Sequence, residues 1–432
     1  MYETPIPRPS PVEGLSVELV RLVLSALSDV ASLQATVLSC PLFYKVFLGA
    51  KVVIIAQVLF HQMDPSILHD AIAAYESSRL RLNGIYNEES SSNDKDGLRS
   101  FIDQNIRLRP DMPPFWSLQQ VLRVTRLHGL VCEIATKFVN DVAAGSPLNQ
   151  TGFISVTHQE RCRIERALYR FEIYCNVFRT LLGMPRGSIV ERAVLRQDPE
   201  ELKIFFTSFS PWEAEQLACI PDFLFKAVLP DQSLSHNHDV AWGALTVEYG
   251  GVGVPTIEHI LSWGLEKVHQ IFQAKTYDER HELLGHLYLP GGGVNRRPGL
   301  WAEPLLYSGL GRANDRTNIT VLKWLTPEDG NLLRIKEPHR PDSDSDSDTG
   351  PADSWRWAHR EDCWAHQAKR RDLRLWGYAM WNRSRLDAIN LFREPWRGSI
   401  RCERDDPARA TRRRATADWF ADIVGAEGAN LE

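Results

Sequence analysis

The chain has 432 residues, 43% hydrophobic and 24% charged, with a formal net charge of -5. This is an ordinary globular balance with no basic excess of the kind that draws a chain to nucleic acid or anionic membrane. The length allows two or three domains around a sizeable core.

Seven cysteines (Cys40, Cys132, Cys162, Cys175, Cys219, Cys363, Cys402) are scattered, and none forms a CxxC pair. The pattern fits neither a disulfide framework nor a zinc module, and it points to buried free thiols in a reducing compartment. The opening MYETPIPRPSPVEG has no basic n-region and no apolar h-region, so it does not read as a secretory signal. An intracellular location follows, cytoplasmic or nuclear.

Residues 1–14 are proline-rich and read as an extended tail. From Ser16, a suitable N-cap, Leu19, Leu22, Val23, Ala26 and Leu27 recur at helical spacing and define one apolar face. Ser28 or Asp29 caps a second helix with Val30, Leu33, Val37 and Leu38 on one side. Pro41 opens a short third helix that stops near Gly49. Lys51 to Gln62 is apolar nearly all round and predicts a buried helix. The longer stretch from Val37 to Phe60 is broken by Pro41, Lys45 and Lys51, which argues against a membrane span of roughly 30 Å. Asp64-Pro65 starts another helix, with Leu68, Ala71, Ile72 and Tyr75 inward.

The polar run from Asn87 to Arg99 predicts a flexible insertion. Helical periodicity returns from Phe115 to Val142 and from Gln159 to Leu182, where Ile164, Leu168, Phe171, Cys175 and Phe178 form a stripe. Ser210-Pro211-Trp212-Glu213 is a capping box with proline at the first helical position.

Residues 339–354 carry the aspartate-serine run Asp342 to Asp348 and predict a disordered acidic segment. Within it Ser343 and Ser345 each have an aspartate three residues on, the pattern of acidic-directed kinases. From residue 355 the chain is rich in Trp and Arg. Leu373, Trp376, Gly377, Met380, Ser384, Ala388 and Leu391 share one face of a helix there, and Leu375, Tyr378, Ala379, Leu386 and Ile389 share roughly the opposite one. A helix apolar on two sides completes a core.

No motif for catalysis emerges. The clusters Gly250-Gly251-Val252-Gly253 and Gly291-Gly292-Gly293 lack the context of a phosphate loop, and His236-Asn237-His238 and the TYDERHELL helix lack HExxH spacing. There is no GxSxG elbow. The expectation is a non-enzymatic chain with no catalytic residue, no metal and no cofactor. An enzyme with a non-local site around His236, His238 and the helix from Thr276 is the weaker alternative.

The stretch Leu15-Ser16-Val17-Glu18-Leu19-Val20, continued by Val23-Leu24, Leu27, Leu33, Val37-Leu38-Ser39-Cys40 and Phe43-Tyr44, resembles an F-box. Ser16 stands where that module usually carries proline. The phrases SPWEAEQLAC and LWGYAMWNRSRLDAINLFREPW extend the likeness to fungal F-box-like proteins of undefined function.

The resemblance implies a mainly α fold: a three-helix F-box-like module at 15–48, a helical body at 49–338, and C-terminal helices at 355–432 completing that body. It also implies docking on the small adaptor subunit of an SCF-type ubiquitin ligase through Leu15, Val17, Leu19 and Val23, with an unknown target protein held by the body. Neither nucleic acid nor membrane is among the expected partners. The alternative is a helical scaffold in which the F-box-like segment is buried in the core and meets no adaptor.

Overall fold

The computed structural model describes residues 14–82, 93–107, 117–145, 155–182, 192–195, 208–228, 261–274, 348–358 and 371–393, with isolated positions between. The expected tail before Gly14, the aspartate-serine run up to Ser347 and the glycine clusters lie outside the described residues. The fold is mainly α, as expected. Arg179–Leu182 (β1) pairs antiparallel with Arg192–Leu195 (β2), a short addition that helical periodicity did not suggest. The chain divides into two compact units.

The first unit comprises residues 1–137, 161–177 and 338–346. Its N-terminal helices are α1 (Val17–Ser25), α2 (Val30–Ser39) and α3 (Pro41–Gln62). Local chemistry sets their starts. Ser16 Oγ accepts from the Leu19 amide at 3.4 Å. Asp29 Oδ1 accepts from the Ser32 amide at 2.8 Å, and Pro41 fills the first position of α3.

Both α1 and α2 pack on α3. Val20, Leu24, Val30, Leu33 and Val37 are buried, as are Val46, Phe47, Ile54, Ile55, Val58 and Leu59 of α3. The far end of α3 ties down the turn between α1 and α2: Gln62 Oε1 accepts from the Val30 amide at 3.1 Å, and His61 Nδ1 lies 3.2 Å from the Leu27 carbonyl.

The stop expected near Gly49 is instead a kink at Ala50 (φ -134°, ψ 23°), and the helix runs on. The joined helix is long and apolar enough to cross a membrane by length and composition, contrary to the interrupted reading of the sequence. It is not buried all round either, since Val52, Val53 and Phe60 are exposed.

Helix α4 (Pro65–Leu82) buries Leu68, Ala71, Ile72 and Tyr75 as predicted. The run read as a flexible insertion is helical from Asn93, as α5 (Asn93–Ile102) followed by a π-helical turn at Asp103–Arg107. Leu98, Phe101, Ile102 and Ile106 supply the apolar anchor that the polar half of that run lacks.

Helices α6 (Leu118–Gly145) and α7 (His158–Phe178) follow. The stripe Ile164, Leu168, Phe171, Cys175 and Phe178 is buried, but so are Arg163, Arg166 and Arg170. Arg170 Nε donates to Asp70 Oδ1 at 3.1 Å, and Asn176 donates to Ser77 Oγ at 3.2 Å, so polar contacts hold α7 to α4 inside the unit.

The second unit comprises residues 138–160, 178–337 and 347–432. Helix α8 (Pro211–Val228) begins with the predicted capping box: Ser210 N donates to Glu213 Oε2 at 3.0 Å, and Glu213 N donates to Ser210 Oγ at 3.4 Å. Around α8 lie α9 (Leu265–Gln273), α10 (Gly350–Ala358), α11 (Arg371–Leu375) and a 3₁₀ turn at Tyr378–Met380. Helix α12 (Arg383–Ala388) packs on α10.

Two sequence expectations fail here. The segment read as disordered through residue 354 is helical from Gly350, because Asp348 Oδ1 accepts from the Gly350 amide at 2.8 Å and starts α10. The single two-faced C-terminal helix is broken into short pieces. Gly377 adopts the left-handed region (φ +62°) and ends α11, and Asn390 (φ +55°) follows α12. The core role survives the break, since Trp376, Tyr378, Ala379, Met380, Trp381 and Leu386 are all buried.

Candidate functional site

The four residues expected to meet an adaptor all lie at the surface. Leu15, Val17, Leu19 and Val23 are 37%, 57%, 51% and 47% exposed. Helix α1 is apolar on two sides, and α3 takes the Val20 and Leu24 side. The apolar face defined by helical spacing is turned out: Leu19, Leu22, Val23 and Ala26 are exposed, and Leu27 is half-buried. Leu38 of α2, expected beside Val30, Leu33 and Val37, also points outward.

Outward apolar positions continue along α3. Tyr44 and Leu48 stand four residues apart before the kink at Ala50, and Val52, half-buried Ala56 and Phe60 are spaced likewise after it. All eleven exposed large hydrophobic side chains among the described residues lie between Leu15 and Phe60. The same stretch has only five charged residues, Glu18, Arg21, Asp29, Lys45 and Lys51. Concentrated apolar exposure with sparse charge is the composition of an interface core.

Ser16, the departure from the usual proline, acquires a structural role. Its hydroxyl caps α1, which a proline side chain cannot do, and it sets where the exposed row Leu15, Leu19, Val23 begins.

A second cluster was not foreseen. On α6, His128 and Cys132 stand four residues apart, and on α7 Arg161, Glu165 and Tyr169 follow the same spacing. Cys132 Sγ lies 3.4 Å from His128 Nε2, and the thiol donates to Glu165 Oε1 at 3.7 Å. His128 Nδ1 is 2.8 Å from the Tyr169 hydroxyl, and Arg161 Nε donates to Glu165 Oε1 at 2.7 Å.

Burial and the neighbouring Glu165 carboxylate push the Cys132 thiol up to about 11. Burial also lowers His128, against the pull of Glu165, so at neutral pH the pair is a neutral thiol beside a neutral imidazole. It is not an activated thiolate nucleophile. The donor atoms of His128, Cys132 and Glu165 all lie within 4.8 Å of one another, so these three side chains could hold a metal ion. The available sequence signal was the i+4 spacing of His128 with Cys132 and of Arg161, Glu165 and Tyr169.

Thr276 and Glu279 make a reciprocal pair, each amide donating to the other's side chain at 3.3 and 3.2 Å, and most of the helix predicted from Thr276 lies outside the described residues. His236, His238, Ser343 and Ser345 lie outside the described residues. Comparison with protein-family models, with curated proteins and with solved structures finds no match.

Proposed function

We propose that the chain is a non-enzymatic interaction subunit that docks through its N-terminal helices on the small adaptor of an SCF-type ubiquitin ligase, its helical body recruiting a target protein. One observation carries this reading: the exposed large hydrophobic side chains of the described residues are confined to Leu15–Phe60, and they include Leu15, Val17, Leu19 and Val23. The exposure also counts against the alternative in which the F-box-like segment is sunk in the core. In this reading ubiquitin transfer takes place on other subunits.

The test is co-purification of the adaptor with the full chain from cells, comparing wild type with Leu19→Asp. Capture by wild type and loss in the variant support the proposal. Absence of adaptor from the wild type ends it. Binding to lipid vesicles without adaptor capture would give the apolar surface to a membrane instead, and would end it too.

A further inference from the structure

We propose that His128, Cys132 and Glu165 form a binding site for one divalent transition-metal ion of the zinc class. The inference is independent of the docking surface, which shares none of these residues.

The geometry argues first. A tetrahedral zinc ion bonds sulfur at about 2.3 Å and nitrogen or oxygen at about 2.0–2.2 Å, which sets neighbouring donor atoms about 3.5 Å apart. Cys132 Sγ stands 3.4 Å from His128 Nε2 and 3.7 Å from Glu165 Oε1. Those two separations match a coordination shell, and the third donor pair, His128 with Glu165, lies within 4.8 Å across the two helices.

The supporting groups fit as well. Ligating histidines usually engage their other ring nitrogen with a polar partner that fixes the tautomer and the ring. Here the Tyr169 hydroxyl meets His128 Nδ1 at 2.8 Å, a hydrogen bond with the Gln62 backbone also engages the ring, and Nε2 faces the Cys132 sulfur at 3.4 Å. The Glu165 carboxylate is held by Arg161 Nε at 2.7 Å. Two of the three donors are therefore held in place by outer partners.

Binding balances in protons: a dication displaces the Cys132 thiol proton to solvent and forms a metal–sulfur bond, with the neighbouring Glu165 carboxylate as a fellow ligand. A mixed sulfur, nitrogen and oxygen set favours zinc or cobalt over calcium or magnesium. The cluster supplies three donors and Cys132 is only half-buried, so water takes the fourth position.

Cobalt(II), a spectroscopic stand-in for zinc, tests the site on the full chain. The expected result is one equivalent bound with a thiolate-to-cobalt charge-transfer band, displaced by zinc. Cys132→Ser should abolish the band. Its affinity should fall by more than the about 10–100-fold typical of losing an outer-sphere partner, and Tyr169→Phe should fall within that range. Circular dichroism checks each variant's helix content. If Cys132→Ser loses helix, Glu165→Gln decides, and unchanged affinity there overturns the proposal. Absence of the band in wild type, or its full retention in folded Cys132→Ser, overturns it directly.

Discussion

Arg385 grips Glu160 with two hydrogen bonds, Nε to Oε1 at 2.8 Å and a terminal guanidinium nitrogen to Oε2 at 2.7 Å. The carboxylate side chain is fully buried, and it also accepts from the backbone amides of Asn382 and Thr157, each at 2.9 Å. One side chain therefore caps α7 and anchors the turn before α12, more than two hundred residues away. Burial opposes ionisation and is the largest single influence on Glu160. The hydrogen bonds from Arg385, Asn382 and Thr157, with the charge of Arg385, outweigh it and hold the carboxyl below the ordinary 4.5.

Glu160→Gln should therefore cost about 3–5 kcal/mol at pH 7, because it leaves a largely buried guanidinium without its counter-charge. A carboxyl depressed in the folded state stabilises above its unfolded pKa, and that contribution is lost as pH falls through the folded value. Denaturant unfolding at pH 7 and under acid conditions checks the sign. The gap between wild type and variant should narrow on acidification.

Two glycines in the second unit should tolerate no side chain. A Cβ at Gly350 would meet the Trp381 carbonyl, the Asn382 carbonyl carbon and the Arg383 amide, all backbone that cannot swing aside. A Cβ at Gly377 would come within 2.7 Å of Phe138 Cζ, at a φ of +62° that already disfavours it. Each glycine-to-alanine change should cost about 1–3 kcal/mol or more, read as a lowered melting temperature.

Asp348 should behave as a staple. Its Oδ1 accepts from both the Gly350 and the Arg383 amides at 2.8 Å, joining the starts of α10 and α12. Asp348→Ala should cost about 1–3 kcal/mol in denaturant unfolding by leaving two amides short of a partner.

How much of this was legible in the sequence depends on how far apart the interacting residues are. Caps read three residues ahead, and Ser16, Asp29, and Ser210 with Glu213 all form where local chemistry places them. Faces are harder to assign. Periodicity shows that α1 is apolar at Leu19, Leu22 and Val23, but it is apolar at Val20 and Leu24 too, and only the packing of α3 decides which side is covered. Buried charge on α7 has no local signature at all, since Arg170 finds Asp70 and Glu160 finds Arg385 far along the chain. The Trp-rich C-terminal stretch fits a continuous helical wheel, and nothing in that wheel marks Gly377 as left-handed.

The turned-out face of α1 makes two leucines, five residues apart, behave in opposite ways. Leu24 is fully buried, and Leu24→Ala should cost about 2–5 kcal/mol. Leu19 is exposed, and Leu19→Asp should change stability by no more than about 0.5 kcal/mol. Thermal melts of the two variants side by side check this, and equal destabilisation would mean that the face is covered.

The most direct measurement of the central claim is a calorimetric titration of the purified adaptor into the full chain, with wild type and Leu19→Asp under the same conditions. Wild type should form a one-to-one complex of about micromolar or tighter affinity, weakened at least about tenfold by the variant, a loss of about 1.4 kcal/mol or more. No binding by folded wild type, or equal binding by both proteins, would contradict it.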